Sequence, residues 1–297
     1  MTLIILLIVL VVERVALQSE KWQASYYAAK YSNFALSNLN TAKSSSWTAL
    51  ILVALPAAVI GVLLSLLDSN LLDFSVGLVV VAICVGNANA RLWYRQYLNA
   101  LGREDKEAQS IIQCKLTDSC EDLVYEKSEG DHEEQVEQAK QLNNGRETLG
   151  ETLIWINFRY YAAPIFYFVL LGVPGIVFYS TLLYLCEYSK THNIVPLAQQ
   201  KTLFTWLEWL FWVPSRFVSL GFMIVGHFSN GLETWLKYAA DFSKSGREML
   251  CKVALKSEQY GEEPSKDNAQ HMVKLTKRNM VLFLVVVALL TLYGQIV

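Results

Sequence analysis

The sequence predicts an all-α, polytopic membrane protein, and composition, apolar windows and charge placement support this prediction. Hydrophobic residues make up 53% of the 297 residues, the formal net charge is -2, and the mean hydropathy is +0.28. This apolar content exceeds that of ordinary soluble domains. A bilayer core of about 30 Å is crossed by roughly 20 apolar residues of helix. We therefore expect one integral membrane domain over residues 1–297, with amphipathic helices on its cytoplasmic side.

Four windows meet the length and charge requirements of a membrane helix. Residues 47–67, 162–186 and 280–297 contain no charged residue, and residues 71–90 contain only Asp73. A charged side chain in hydrocarbon is costly, so windows of this length and composition are typical of membrane-spanning helices. These four windows are predicted membrane segments.

Two further windows meet the requirements in part, which gives up to six segments. Residues 2–12 are apolar but cover only about half a bilayer at 1.5 Å per residue. They lack the basic start and small-residue cleavage site of a secretory signal, so we expect them in the mature protein. Residues 203–228 are long enough but contain Glu208, Pro214, Arg216 and His227. We expect this segment either to cross as a broken helix or to enter and return.

The distribution of basic residues predicts the orientation. With six crossings, segments 13–46, 91–161 and 229–278 lie on one side and hold 22 of the 25 Lys and Arg residues. The positive-inside rule places this side in the cytoplasm and both termini in the periplasm. Only Lys190 and Lys201 face the other side in this arrangement, while Arg216 lies in the membrane.

Each cytoplasmic segment has its own predicted character. Residues 13–46 form an amphipathic arm whose aromatic and basic side chains favour an interfacial helix over a partner-binding site. The acidic residues 104–152 favour a solvated, partly helical loop over a metal site, because no D-x-D-x-D-G pattern is present. Residues 229–278 mix aromatic and charged residues, which is typical of helices lying against the membrane.

Motifs for common chemistries are absent from the sequence. There is no phosphate-binding glycine loop, G-x-G-x-x-G, H-E-x-x-H or G-x-S-x-G motif. The five cysteines form no C-x-x-C pair, so we expect free thiols, and the four histidines are scattered. We predict no metal, no cofactor and no nucleic-acid partner, and we assign no catalytic residue.

Polar residues inside apolar segments are the main candidates for function. Asn157 and Arg159 precede Pro164, while Glu208 and Arg216 lie on either side of Pro214. Proline leaves backbone groups unpaired, and such breaks persist at membrane depth only where protein or water surrounds them. A polar cavity is therefore expected, with Arg159 paired to Glu208. The pair could lock two segments together or form a ligand site, and the sequence leaves both alternatives open.

The same residues carry a resemblance to a known family. Glu13-Arg14 after a short apolar start, WINFRYYAAPIFYF at 155–168, WVPSR at 212–216, Gly226-His227 and ALLTLYG at 288–294 resemble the AmpE family of bacterial inner-membrane proteins. The resemblance implies a signalling role in β-lactamase induction and in the response to β-lactam antibiotics. The partners that it implies are the lipid bilayer, a cell-wall-derived or other small ligand, and a membrane protein.

A wider resemblance keeps an enzymatic alternative open. Ala163, Pro164 and Phe166, with Pro214 and Arg216, are similar to steps in the CobD/CbiB cobinamide-phosphate synthases. Most carboxylates of those enzymes are missing here, so the resemblance implies a retained fold rather than a retained reaction. The alternative is a related membrane enzyme that acts on an amphiphilic or phosphorylated substrate. The candidate ligand or polar-site residues are Glu13, Arg14, Glu151, Asn157, Arg159, Glu208, Arg216 and His227.

Overall fold

The protein is all-α throughout the part of the chain that the structure describes. This computed structural model describes residues 2–15, 22–39, 46–67, 70–116, 148–192, 197–241, 244–258 and 268–294. These ranges contain helices and short connections and no strand, which confirms the predicted fold class. The helices are α1 (Thr2–Val15), α2 (Ala24–Leu39), α3 (Ser46–Leu67), α4 (Asn70–Cys84), α5 (Ala88–Gly102), α6 (Lys106–Leu116), α7 (Leu149–Asn157), a π-helical segment (Phe158–Ala162), α8 (Ala163–His192), α9 (Leu197–Val225), α10 (Phe228–Ala239), α11 (Gly246–Ser257) and α12 (Asn268–Leu292).

Several of these helices are suited to a bilayer. Within the described ranges, four segments are long and apolar enough to cross it by length and composition: Ala49–Leu66, Leu149–Lys190, Gln199–Val225 and Ala269–Leu292, of which Leu149–Lys190 contains a turn at Gly172. The bent pair Leu71–Cys84 and Ala88–Gly102 adds a fifth if it counts as one span, and Thr2–Glu13 is shorter. The protein is thus a multi-pass membrane protein. Most of the acidic loop predicted at 104–152 lies outside the described residues.

Helix α8 folds back on the residues before it. Gly172 has φ 70° and ψ -156°, which interrupts the helical path. Arg159 and Glu187 form an ion pair of 2.9 Å, although 28 residues of straight helix would place them about 42 Å apart. The ring of Tyr167 also stacks on that of Tyr179, with 5.4 Å between centroids. Residues 149–171 (the first arm) and 174–192 (the second arm) therefore form an antiparallel helical hairpin.

This hairpin replaces the single membrane segment expected at 162–186. Pro174, directly after the turn, restricts the backbone and favours the change of direction. A Cβ atom built at Gly175 would lie 2.6 Å from the carbonyl oxygen of Tyr167, so the two arms approach each other closely. The expected orientation places Lys190 on the side opposite the basic segments, because it assumes one crossing at residues 162–186. The hairpin removes that crossing.

The segment expected at 71–90 is also interrupted. Helix α4 ends at Cys84, and α5 begins at Ala88 with a bend of 45° between them. Gly86 lies in the break with φ 103°, a conformation that favours glycine. The Asn87 side chain accepts a hydrogen bond of 3.0 Å from the Ala90 N–H and caps α5. The break therefore follows from a left-handed glycine and a helix cap, two features that a hydropathy window does not register.

Helix α9, in contrast, continues through Pro214 without the expected break. Proline has no N–H and leaves the carbonyl of the residue four positions earlier unpaired. That carbonyl belongs to Leu210, and it accepts a hydrogen bond of 2.8 Å from the Tyr167 hydroxyl. Helix α3 has the same arrangement at Pro56, where the Tyr31 hydroxyl donates to the carbonyl oxygen of Leu52.

Three of the cysteines agree with the expectation of free thiols. Cys84, Cys186 and Cys251 are buried thiols that form no disulfide bond. Cys114 is disulfide-bonded, so the expectation is wrong for this residue. The remaining cysteine, Cys120, lies outside the described residues.

The hairpin turn predicts a stability change on substitution of Gly172. Gly172→Ala should lower the free energy of unfolding by about 1–3 kcal/mol, because a φ and ψ of this kind is nearly restricted to glycine. The measurement is thermal or denaturant unfolding of the full chain in lipid discs. Gly102→Ala is the matched control, because its added Cβ meets no atom within 4 Å. Equal stability of the two variants would contradict a strained turn at Gly172.

Candidate functional site

The π-helical segment Phe158–Ala162 is the centre of the candidate site. The Ala163 N–H bonds to the carbonyl of Phe158, five residues back, so the carbonyl of Arg159 loses its ordinary helical donor. The Tyr179 hydroxyl supplies a donor at 2.7 Å. Pro164 has no N–H for the carbonyl of Tyr160, four residues before it. The Gly86 N–H donates to that carbonyl at 2.9 Å, so this segment is joined to both the second arm and the α4–α5 break.

A cluster of charges lies on the inner side of the hairpin. Arg159 Nη2 is 2.9 Å from Glu187 Oε1, and the two side chains are 11% and 26% exposed. The Tyr160 hydroxyl donates to the same carboxylate oxygen at 2.6 Å. Arg159 also lies over the Tyr160 ring, 5.7 Å from its centroid. One carboxylate therefore receives donors from two neighbouring residues of the π-helical segment.

Two further charges extend this group. Glu208 of α9 interacts electrostatically with Arg159 and with Arg247 of α11. Arg247 also lies over the Trp155 ring, 5.4 Å from its centroid. We call Arg159, Glu187, Glu208 and Arg247 the Arg159 cluster. Its two positive and two negative charges balance, which lowers the cost of placing them among apolar helices.

The pairing expected from the sequence differs in its partner. The structure gives Arg159 an ion pair with Glu187, whereas Glu208 is an exposed side chain within electrostatic range. Glu187 is absent from the residues expected from the sequence, because it lies directly after the apolar window 162–186 rather than inside it. Arg159 and Glu187 are 28 residues apart in the sequence, so the pair can be predicted only if the turn at Gly172 is recognised.

A second buried group of polar residues lies where α1 meets the α4–α5 break. Glu13 is only 6% exposed, and its Oε1 atom lies 3.0 Å from Arg91 Nη1. The Tyr161 hydroxyl donates to the same oxygen at 2.6 Å. A Cβ at Gly86 would lie 2.8 Å from it, so this glycine leaves the space that the carboxylate occupies. We call Glu13, Arg91 and Tyr161 the Glu13 cluster.

Arg216 serves a different purpose from the one expected. Its five N–H groups have acceptors: the carbonyl oxygens of Trp212, Tyr238, Ala239 and Asp241, and Ser215 Oγ. The carbonyls of Tyr238 and Ala239 belong to the C-terminal end of α10, where helical carbonyls lack intrahelical donors, and that of Asp241 lies two residues beyond it. Arg216 also lies over the Trp212 ring at 4.0 Å. It therefore ties the end of α10 to α9 and has no donor left for a ligand.

The remaining candidates are dispersed. Glu151 forms a capping box with Thr148 at the start of α7, where its Oε2 accepts from the Thr148 N–H at 2.8 Å. Asn157 is half-buried at the end of α7 and makes no side-chain capping bond. The exposed His227 donates its backbone N–H to the Ser257 carbonyl at 2.8 Å. Arg14 lies in α1, and its side chain is outside the described part of the structure.

No metal centre is evident in the part of the chain that can be described. In these residues, no group of three or more His, Cys, Asp and Glu side chains could hold a metal ion. The two clusters contain paired charges and tyrosine hydroxyls, and they lie where α1, α5, α9, α11 and the hairpin meet. This arrangement suits binding and mechanical coupling.

Comparisons with known proteins agree with the resemblance in the sequence. Residues 1–297 match the family described as "Regulatory signalling modulator protein AmpE". Protein AmpE of Shigella flexneri is 29% identical to this chain over 313 residues, and the alignment covers 100% of both proteins. No solved structure gives a significant match.

The Arg159–Glu187 pair predicts non-additive effects on stability. Arg159→Leu and Glu187→Leu should each lower the free energy of unfolding by about 3–5 kcal/mol, because each leaves a charge without its partner. The double variant should lose less than the sum, by about 1–3 kcal/mol. Unfolding in lipid discs measures this coupling energy.

The exposed pair Lys244–Glu248, with 3.7 Å between Nζ and Oε1, is the control for that cycle. Its coupling energy should be only about 0.3–0.5 kcal/mol. Coupling between Arg159 and Glu187 as small as this control would refute a structural ion pair in the hairpin.

The contacts of Arg216 predict that lysine cannot replace it. Arg216→Lys should lower the free energy of unfolding by about 2 kcal/mol or more. The planar guanidinium group reaches all five acceptors, whereas the single ammonium group of lysine has three donors and cannot. Hydrogen exchange should then increase at the C-terminal end of α10 in mass spectrometry. Wild-type exchange and stability in Arg216→Lys would show that its charge alone is needed.

Proposed function

We propose, on the premise that the chain belongs to the AmpE family of regulatory signalling modulators, that it modulates β-lactamase induction in response to β-lactam antibiotics. The family match over the whole chain is the observation that carries this proposal. The buried ion pairs support it, because paired charges within membrane segments commonly mark functional sites. The protein acts from the membrane, so its effect on gene expression is indirect.

The Arg159 cluster is the proposed binding site for the signal. Glu187 lies on the second arm, while Arg159 lies on the first, so their ion pair closes the base of the hairpin. A small anionic ligand, such as a cell-wall fragment, or a charged residue of a membrane protein partner would compete for Arg159 and Arg247. A ligand that binds more tightly when the Arg159–Glu187 ion pair is broken than when it is formed would shift the hairpin between two states. Glu208, exposed beside these arginines, is the proposed entry point.

The proposed location is the bacterial inner membrane. The basic residues Arg91, Arg95 and Arg103 follow the apolar stretch of α4 and favour a cytoplasmic position. The expectation that both termini lie in the periplasm assumed one crossing at residues 162–186, and it is not part of this proposal because the hairpin removes that crossing.

The enzymatic alternative, a cobinamide-phosphate-synthase-like membrane enzyme, is not favoured by the family match. Arg216, one of the residues that carried that resemblance, uses its donors on backbone carbonyls and on Ser215. We therefore keep the regulatory function as the single proposal.

The proposal predicts altered induction when the ion pair is weakened without loss of the fold. Glu187→Gln keeps a similar side-chain size but removes the charge that balances Arg159. β-Lactamase activity after exposure to a β-lactam should change by about fivefold or more, the usual lower range of coupling between sites. The measurement is made in the native host, with membrane abundance of the variant determined by immunoblot.

Lys244→Gln is the matched control, because it removes one charge from an exposed ion pair. It should leave induction unchanged. Normal induction in Glu187→Gln at normal abundance would remove the ion pair from the proposed mechanism. Normal induction after deletion of the whole gene would remove the proposed function.

A further inference from the structure

An apolar cavity of about 290 Å³ lies between α2, α3, α4 and the second arm. Its walls include Tyr27, Tyr31, Pro56, Ile83, Val177 and Tyr184. We propose that this α2 cavity binds one hydrocarbon tail of an anionic membrane phospholipid. The site is separate from the Arg159 cluster, and the inference does not rest on the proposed role in induction.

Its size and lining argue for an apolar occupant. Unfilled volume destabilises a protein in proportion to its size, and a volume of about 300 Å³ is that of a small ligand pocket. Water needs two to four polar partners in a cavity. The polar side chains in the wall, which include Ser180, Thr181 and three tyrosines, leave most of its surface apolar, and the Tyr31 hydroxyl is already bonded to a backbone carbonyl. A hydrocarbon chain fills such a space better than water does.

Part of the cavity wall is exposed. Tyr27, which lines it, is 51% exposed, and the lining residues Ile60 and Val80 are partly exposed. Val59 and Val79, the residues next to these two, are exposed on α3 and α4, which are mainly apolar. The proposed entry of the lipid tail is from this side.

Charge on α2 favours an anionic headgroup. The helix sequence ASYYAAKYSNFALSNL contains one basic residue, Lys30, and no acidic residue. Lys30 is held at the surface by the Tyr26 hydroxyl at 3.0 Å and lies over its ring at 4.6 Å. Interfacial aromatic and basic side chains of this kind interact with anionic lipid headgroups. The tail would occupy the cavity while the headgroup lies beside α2.

Photolabelling of the full chain tests this assignment. The protein is placed in lipid discs of phosphatidylethanolamine that contain phosphatidylglycerol with a diazirine in its acyl chain. After illumination, mass spectrometry maps the labelled residues. We expect labels on Val177, which is buried inside the cavity, as well as on the lipid-facing Val59.

Ala28→Phe fills the cavity from α2 and provides the matched comparison. Labelling of Val177 should fall about tenfold, the loss expected when about two buried methylenes are displaced, while labelling of Val59 stays constant. Ala58→Phe, on the exposed face of α3, should change neither. Ser180→Leu fills the same cavity from the second arm and gives the same readout if Ala28→Phe does not fold.

Two results would overturn the inference. In the first, Val59 is labelled in the wild-type protein but Val177 is not, so no tail enters the cavity. In the second, Val177 is labelled equally in the wild type and in both filled variants, so the label arrives by another route. A diazirine-bearing phosphatidylethanolamine should label Val177 less than phosphatidylglycerol does, and equal labelling would refute the preference for an anionic headgroup.

Discussion

The structure depends on one constraint: in hydrocarbon, every backbone carbonyl and N–H must find a partner within the protein. Proline breaks this rule locally, because it leaves the carbonyl four residues earlier without a donor. At Pro56, Pro164 and Pro214, the carbonyl that the proline leaves without a helical donor accepts a hydrogen bond from another element. The sets are Pro56, Leu52 and Tyr31; Pro164, Tyr160 and Gly86; and Pro214, Leu210 and Tyr167. The prolines would weaken isolated helices, but here the carbonyls that they leave without a donor form hydrogen bonds that connect one helix to another.

Several of these hydrogen bonds are formed by the π-helical segment. Its altered register leaves the carbonyl of Arg159 to accept from the Tyr179 hydroxyl, and Pro164 leaves the carbonyl of Tyr160 to accept from the Gly86 N–H in the α4–α5 break. The side chains of the same few residues reach in two directions: Arg159 and Tyr160 towards Glu187, and Tyr161 towards Glu13. Both charged clusters are therefore attached to one short stretch of irregular backbone.

The amino-acid composition predicts the fold class, but it does not predict where the chain changes direction. The all-α class and membrane character follow from long apolar windows, and Arg159 stood out because charge is costly there. The turn at Gly172 was missed because it lies inside an uncharged window, where hydropathy is the same for a straight helix and a hairpin. The continuity of α9 at Pro214 depends on Tyr167 from another helix, and no local pattern reports such a donor. Arg216 was a candidate because it is a charge within an apolar segment, and its contacts with the carbonyls of Tyr238, Ala239 and Asp241 could not be foreseen because these residues follow more than 20 positions later.

The hairpin also brings the apolar and charged parts of the molecule into contact. Tyr184 lines the α2 cavity, and its ring centroid lies 6.4 Å from that of Tyr160. Tyr160 in turn donates to the Glu187 carboxylate that pairs with Arg159. Interiors are closely packed, so a displaced ring is transmitted to its neighbours rather than absorbed. The rings of Tyr184 and Tyr160 therefore connect the cavity wall to the ion pair, and this connection exists only because residues 174–192 return along the first arm.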